Sequence, residues 1–507
     1  MMRIIRLLVC LTILCRVATN ALAQNSDPQR PSKPNVLFII SDDLNTALSG
    51  FGHPQCKTPY LDELADRGVC FGNMHCQYPV CGSSRASIMS GLYPYTNCTL
   101  ANTGTLRASI PDVVTLSQMF RQNGYFAARV SKIYHMRVPN DILAGTTEHD
   151  DPLSWDRAIN VKGPEHEAPG ESAQWSPIDK GTQTFRSVSA EGGDLIHADG
   201  MAADRAIEML RELREKPFFL AVGFVRPHVP LVAPEKFFDI YNRDEMIAPK
   251  VSANDLDDVP KIIRNYKENV SCYGVTSGLH QGLLQAYYAS VSYMDAQVGR
   301  VLAALKQNGL SDNTIVVFTS DHGYLLGHHN KFQKQHLFEE STRVPFIISV
   351  PWLENQHGNT TGKITELIDL YPTLAELALL PAPAELQGSS LLPLLNDTDS
   401  AAWTKQMAFT ISRSGGESLR TNQWRFTHWG FGKDGDELYD LKNDPGEFNN
   451  QAHNPQYVKV LKQMRQRLEK KRMEAGYQSW KAMKSENETK RLRETKDGLK
   501  LEKTTKG

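Results

Sequence analysis

The chain has 507 residues, 40% of them hydrophobic and 22% charged. That length, well beyond the roughly 100 to 200 residues of one domain, supports a large core and excludes a peptide hormone, a zinc knuckle or a lone binding module. With 56 Lys+Arg against 57 Asp+Glu and a formal net charge of −1, there is no general basic field for nucleic acid and no acidic excess of the kind that keeps a chain unfolded.

Residues 1–23 read as an export signal. Arg3 and Arg6 precede an apolar run over 7–15, and Ala21-Leu22-Ala23 supplies small residues at the spacing of a cleavage site, which places the mature start near Gln24. The run is too short to span a bilayer and no later stretch reaches that length, so the expectation is a periplasmic or secreted protein without a membrane span. Cys10 and Cys15 leave with the signal, and Cys56, Cys70, Cys76, Cys81, Cys98 and Cys272 remain. In an oxidising compartment one or two disulfides among them are expected, far fewer than in a disulfide scaffold.

After a linker at 24–33, apolar runs and helix-like periodic stretches alternate. Residues 36–40 read as a strand, 61–67 as a helix, a helix starts at about Ser83, and 116–123 read as a further helix before a strand at 126–130. A helix at 201–214 leads to a strand at 218–224, and a helix at 287–306 to strands at 315–319 and 346–350. These are expected to be buried parallel strands in an α/β domain over 34–391, a mostly parallel sheet with helices on both faces. From 392 to 480 short strands at 407–412, 424–429 and 437–441 mark a smaller α+β subdomain with an antiparallel sheet. It is closed by a helix whose apolar stripe is Tyr457, Val460, Leu461, Met464 and Leu468, with a stop near Gly476. Residues 481–507 are charged and almost free of apolar side chains, the composition of a solvated tail.

Polar residues gather where these strands end. Strand 36–40 runs into Ser41-Asp42-Asp43, and strand 315–319 into Ser320-Asp321-His322-Gly323. Ligands of open parallel sheets bind outside the carboxyl ends of the strands, so both acidic ends can meet at one edge, where a divalent cation would relieve their repulsion. Taken singly, each Asp group also suits a turn or helix cap. Strand 126–130 runs out into Lys132 and His135, and strand 218–224 into Arg226, Pro227, His228 and Pro230; cations and imidazoles at the same edge describe a pocket for an anion. Cys81 would sit at a helix N-terminus, where the dipole favours a thiolate.

Cys81-Gly82-Ser83-Ser84-Arg85 resembles the C-x-[S/P]-x-R signature of the type I sulfatases, members of the alkaline phosphatase superfamily. Its companions occur in order. Residues 35–43 resemble the family's N-V-L-x-I-x-x-D-D opening strand, and Asp321-His322-Gly323 with Leu326-Gly327 its second metal segment. Lys331-Phe332-Gln333-Lys334 and 338–345 resemble the stretch after that, and 437–445 the C-terminal hairpin. Lys132-Ile133-Tyr134-His135, with two residues between Lys and His, looks more like the iduronate-2-sulfatase branch than the arylsulfatase branch. The sequence departs from the pattern at Gly327-His328-His329-Asn330, where relatives often read G-E-H-G, and at Ser83, where Pro is commoner.

The resemblance implies an alkaline-phosphatase-like fold and hydrolysis of sulfate esters, most readily on sulfated carbohydrates. It implies that a maturation enzyme oxidises Cys81 to formylglycine, whose hydrate attacks sulfur and whose second hydroxyl then expels sulfate. It places one divalent cation, calcium by family precedent, on Asp42, Asp43, Asp321 and His322, with residue 81 completing the set. Arg85 would orient the nucleophile, Lys132 and Lys334 would neutralise sulfate oxygens, and Asp321 would take the proton of the attacking hydroxyl. His135 would deprotonate the second hydroxyl and His228 would protonate the leaving alcohol, with Lys334 assisting. Two other functions remain open at this level: a phosphatase or phosphodiesterase on the same fold, and a non-catalytic carbohydrate-binding relative.

Overall fold

A computed structural model describes residues 30–177, 185–252, 254–265, 274–413 and 415–478, together with 481 and 484. The expected signal, most of the linker, Cys272 and nearly all of the tail lie outside the described residues. Among the described residues no helix is long and apolar enough to cross a membrane.

The centre of the molecule is its first strand, β1 (Asn35–Ser41). The main sheet also contains β2 (Val69–His75), β3 (Phe126–Ser131) and β4 (Arg157–Ile159). A small sheet joins β5 (Gly170–Gln174), β6 (Arg186–Ala190) and β8 (Leu231–Pro234), while β7 (Phe218–Gly223) returns to the main sheet. β9 (Thr314–Ser320), β12 (Arg343–Val344), β13 (Phe346–Ser349) and β14 (Asn359–Glu366) complete its nine strands, and β10 (Leu325–Leu326) and β11 (Phe332–Gln333) form a short hairpin beside it. β1 lies between β7 and β9, parallel to both, with Ile40 opposite Gly223 and Thr319. β3 and β4 extend the parallel array beyond β7. This is a large, mostly parallel sheet of the alkaline-phosphatase-like kind.

Every residue of β1 is buried, because both faces of the sheet are covered. Val36, Phe38 and Ile40 point into one core with α2 (Cys81–Ser90), α3 (Leu116–Gln122) and α6 (Leu370–Leu377). Leu37 and Ile39 point into the other with α1 (Pro59–Asp66), α4 (Ala198–Glu212) and the 31-residue α5 (Ser277–Gln307). The period of two along the strand thus divides one apolar run between two cores.

Several expectations are corrected. The strand at 346–350 is antiparallel to β9, since no crossover helix separates them and the chain doubles back through β12. β2 and β14 were not anticipated, because Gly72 and Asn73 interrupt one apolar run and Thr360, Thr361 and Gly362 the other. α5 starts ten residues before the expected 287. Gly282, which reads as a helix breaker, is where the Trp175 ring packs against the helix, and a Cβ there would lie 2.1 Å from that ring. No disulfide joins the described cysteines. Cys56 and Cys70 belong to one core and Cys76 to the other, and burial pushes the Cys56 thiol up to about 12 and that of Cys70 to about 11.

The C-terminal part is an antiparallel meander of β15 (Met407–Ile411), β16 (Glu417–Thr421), β17 (Trp424–Trp429) and β18 (Gly435–Asp440). Leu461, Met464 and Leu468 of α7 (Val458–Glu474) pack on it, in a core shared with Tyr93, Tyr95 and Ile368. Ile411 N–H donates to Gln77 O at 3.0 Å and the Thr410 hydroxyl to Cys76 O at 2.6 Å, so β15 braces the segment entering α2.

Phe38 is fully buried at the middle of β1. Phe38→Ala should lower the free energy of unfolding by about 3–5 kcal/mol, read from denaturant midpoints; a loss below about 1 kcal/mol would contradict a central, two-sided strand.

Candidate active site

The carboxyl ends of four parallel strands build the site. β1 delivers Asp42 and Asp43, β9 delivers Asp321 and His322, β3 delivers Lys132 and His135, and the loop after β7 delivers His228. Cys81 is the first residue of α2, two residues earlier than expected, because Ser84 N–H already bonds Val80 O and closes the first turn. The free N–H of Gly82 is taken by the Asn102 side chain at 2.8 Å. Lys334 follows β11 between Gln333 and Gln335, both with left-handed backbone (φ +69° and +76°), which lifts it out of the hairpin.

All ten expected site residues converge. Ligand-capable atoms of Asp42, Cys81, Asp321 and His322 lie within 4.8 Å of one another, and those of Asp43, Cys81 and His228 do the same. His322 Nε2 is 3.4 Å from Cys81 Sγ and 3.4 Å from Asp43 Oδ1. Lys334 Nζ is 2.6 Å from Asp43 Oδ1 and 3.2 Å from Cys81 Sγ, so it bridges the two. Lys132 Nζ is 2.5 Å from Asp42 Oδ2. The Arg85 guanidinium, fully buried, donates to Asp321 Oδ2 at 2.8 Å, to Asp42 Oδ1 at 3.4 Å and to the carbonyls of Lys132 and Ile133. His135 lies beside Cys81 and helps to lower its thiol, and the His135 Nδ1 is buried without a hydrogen-bond partner.

The electrostatics follow from burial against charge. Desolvation opposes ionisation of Asp42, but Lys132, His228 and Arg85 overcome it and hold the carboxyl below its usual range. Desolvation dominates at Asp321 and lifts it to about 6. Burial likewise works against a charged Cys81, yet Lys334, Lys132 and His322 hold the thiol well below its ordinary value. For His322 the Asp321 and Cys81 charges outweigh burial and raise it to about 9.

The donor set suits a divalent cation. Asp43 Oδ2 is buried without a hydrogen-bond partner. The His322 ring nitrogen Nδ1 lies 2.9 Å from Gly323 O, an acceptor only, so Nδ1 carries a hydrogen and Nε2, which faces the acids, is the nitrogen that would bind a cation on giving up its proton. Gly323 itself is obligatory, since a Cβ there would lie 2.0 Å from Glu340 O. Asp43 has a left-handed backbone (φ +64°), fixed by Tyr287, whose hydroxyl donates to Asp43 O at 2.8 Å and accepts from Asn45 N–H at 3.2 Å.

His328 and His329 have other partners. His329 Nδ1 is 3.0 Å from Asp255 Oδ2 and its ring stacks on Phe338, while His328 Nδ1 accepts from Leu326 N–H. Residues that sequence reasoning missed are the hydroxyls framing the acids: Ser84 bonding Asp321 O, Ser320 bonding Leu44 N–H and His322 O, and Tyr287. The Ser-Asp pair repeated at both strand ends is a visible signal for Ser320; Tyr287, 244 positions from Asp43, carries none.

Fold and site together define an α/β enzyme of the alkaline-phosphatase-like type, with paired acids and cations gathered around Cys81 at one sheet edge. Residues 34–380 match the Sulfatase family model, and 327–474 match that of N-sulphoglucosamine sulphohydrolase, C-terminal. The chain belongs to the sulfatase family, enzymes that hydrolyse sulfate esters. It is 30% identical to a sulfatase of Formosa agariphila over 476 residues, 90% of each chain, and 30% identical to human iduronate 2-sulfatase over 400 residues, 69% of this chain and 70% of that one. A solved structure of a protein in complex with its substrate D-glucosamine-2-N,6-O-disulfate superimposes with a TM-score of 0.69 at 23% identity, covering 87% of this chain and 98% of that one.

Arg85 is the buried counter-charge to two carboxylates. Arg85→Ala should cost about 3–5 kcal/mol of stability by leaving them unpaired, and Arg85→Lys should cost less, keeping charge without the fork; equal denaturant midpoints for all three proteins would contradict this.

Proposed function

We propose that this sulfatase removes sulfate from sulfated carbohydrates, using Cys81 in its formylglycine form and one calcium ion held by Asp42, Asp43, Asp321 and His322. The observation that carries the reading is the position of Cys81 Sγ, at a helix N-terminus, within 3.4 Å of both Lys334 Nζ and His322 Nε2 and amid three carboxylates. Matured Cys81 would supply a geminal diol as nucleophile, and the cation would supply Lewis acidity. Carboxylate-rich donors favour a hard, oxygen-seeking ion.

The chain's own groups then take these tasks. Asp321, lifted toward neutrality by burial, accepts the proton of the attacking hydroxyl. Arg85 fixes Asp321 and Asp42 so that neither can turn away. Lys334, at the rim with its side chain 14% exposed, meets the sulfate oxygens, and Lys132 sets the charge beneath them. His135, on the Cys81 side, holds the proton of the second hydroxyl. His228 Nε2, 3.8 Å from Asp43 Oδ2 and partly exposed, protonates the departing sugar oxygen. The amine-sulfate and sugar-sulfate substrates named for relatives support the carbohydrate class. Export through residues 1–23, and maturation by a formylglycine-generating enzyme, belong to the same proposal.

Protein co-expressed with such an enzyme should turn over aryl sulfate well above aryl phosphate, and Cys81→Ala should abolish turnover while melting within about 4 °C of the parent. Phosphate turnover exceeding sulfate turnover would favour a phosphatase, and full activity in Cys81→Ala would exclude this nucleophile. Stripping the ion with a chelator should lower both rate and melting temperature, with calcium restoring both; a calcium-indifferent enzyme would refute the ion assignment.

A further inference from the structure

His228 sits in a loop after β7 that other buried charges hold from below. The Arg226 guanidinium, 1% exposed, donates through Nη1 to the carbonyls of His228 and Pro230, both at 2.9 Å, and through Nη2 to Glu165 Oε1 at 2.6 Å. The Arg226 backbone is fixed on both sides. Its N–H donates to Asp199 Oδ2 at 3.0 Å, beside Val225 N–H on Oδ1 at 2.7 Å, and its carbonyl accepts from the Ser41 hydroxyl at 2.7 Å. Ser41 precedes Asp42, so the loop is registered against the acid cluster itself. His228 Nδ1 lies 2.6 Å from Val229 O and must carry the hydrogen, which leaves Nε2 as the free nitrogen facing Asp43.

Folding alone does not account for this arrangement. Glu165 adopts a left-handed backbone (φ +45°), and its Oε2 is buried with no hydrogen-bond partner. A buried carboxylate that meets one cation through one oxygen, from a strained backbone, is costly unless it secures something else. What it secures is the fork of Arg226, and through that the main chain of His228.

We propose that Glu165, Arg226 and Asp199 are positioning residues that hold the His228 imidazole at the angle needed to protonate the leaving alcohol. The proposal rests on the role given to His228 above. In bond terms, an oxygen of the residue 81 hydrate bonds to sulfur as the sulfur–oxygen bond to the sugar breaks, the electron pair stays on the sugar oxygen, and the Nε2 proton of the His228 imidazolium moves to it, leaving the Nδ1–H on Val229 O. A clamp that sets this angle matters most when the leaving oxygen is strongly basic and least when it departs easily as an anion.

The test uses matured full-length enzyme, with conversion of residue 81 checked by peptide mass, and two probes, phenyl sulfate (poor leaving group) and 4-nitrophenyl sulfate (good leaving group). Glu165→Ala and Arg226→Lys should each lower kcat on phenyl sulfate by about 10- to 100-fold with KM changed less than about twofold, and should lower kcat on 4-nitrophenyl sulfate only about two- to threefold. Glu165→Gln, which keeps an acceptor for Arg226, should recover much of the loss. In a His228→Ala background neither change should cost anything further. Equal losses on both probes, or losses that add to that of His228→Ala, would overturn the clamp. If His228→Ala itself shows no leaving-group dependence, the role of His228 has failed instead, and the clamp falls with it. Should Arg226→Lys not fold, as judged by its melting curve, Asp199→Asn provides the second variant with the same required outcomes.

Discussion

Three carboxylates, Asp42, Asp43 and Asp321, are packed at one point with no access to solvent, and the architecture around them exists to make that tolerable. At separations near 4 Å each like-charged pair costs about 4 kcal/mol for an effective dielectric near 20. The chain meets them with Arg85, Lys132 and Lys334, each within 3.4 Å of a carboxylate oxygen. These cations balance the acids but leave little positive charge over for an anionic guest. A divalent cation, which this donor set suits, would supply that surplus, which is why the orphan oxygen of Asp43 and the turned ring of His322 bear on function as well as on folding.

The geometry depends on the sheet. Parallel strands put their carboxyl ends at one edge, and four of those ends are used here, with β1 between β7 and β9 so that its acids reach both Asp321 after β9 and Lys132 after β3. The C-terminal meander acts on the same point from behind, bracing the segment that enters α2 through β15. A buried network of Glu339, Arg420, Arg425 and Glu447 ties the meander to the segment after Lys334. The site is therefore set by both parts of the chain.

Much of this was legible because strands buried on both faces leave near-continuous apolar runs, and the polar residues that end them stand out. Residues 36–40 and 315–319 announced themselves, and the acids following each could be placed at a common edge before any contact was known. β2 was hidden by Gly72 and Asn73, and the direction of β13 by the absence of any local signal for antiparallel return. The start of α5 was obscured by Gly278 and Gly282, the second of which is dictated by a tryptophan about a hundred positions away in sequence. Tyr287, Glu165 and Asp199 escaped for a related reason: a hydroxyl or carboxylate that serves another residue's backbone has no motif, and only the folded contact reveals its task.

The central place of β1 bears on how the protein comes to be made. β1 precedes both of its neighbours in synthesis, β7 by about 180 residues and β9 by about 280. At ordinary ribosomal speeds of about 5–20 residues per second, a strongly apolar segment with two bare edges persists on the order of tens of seconds before its partners exist. Such a segment is prone to pair with its own kind on a neighbouring nascent chain. The strand that gives the finished enzyme its middle thus spends much of synthesis with both edges unpaired, a hazard set by how far along the chain its two neighbours lie.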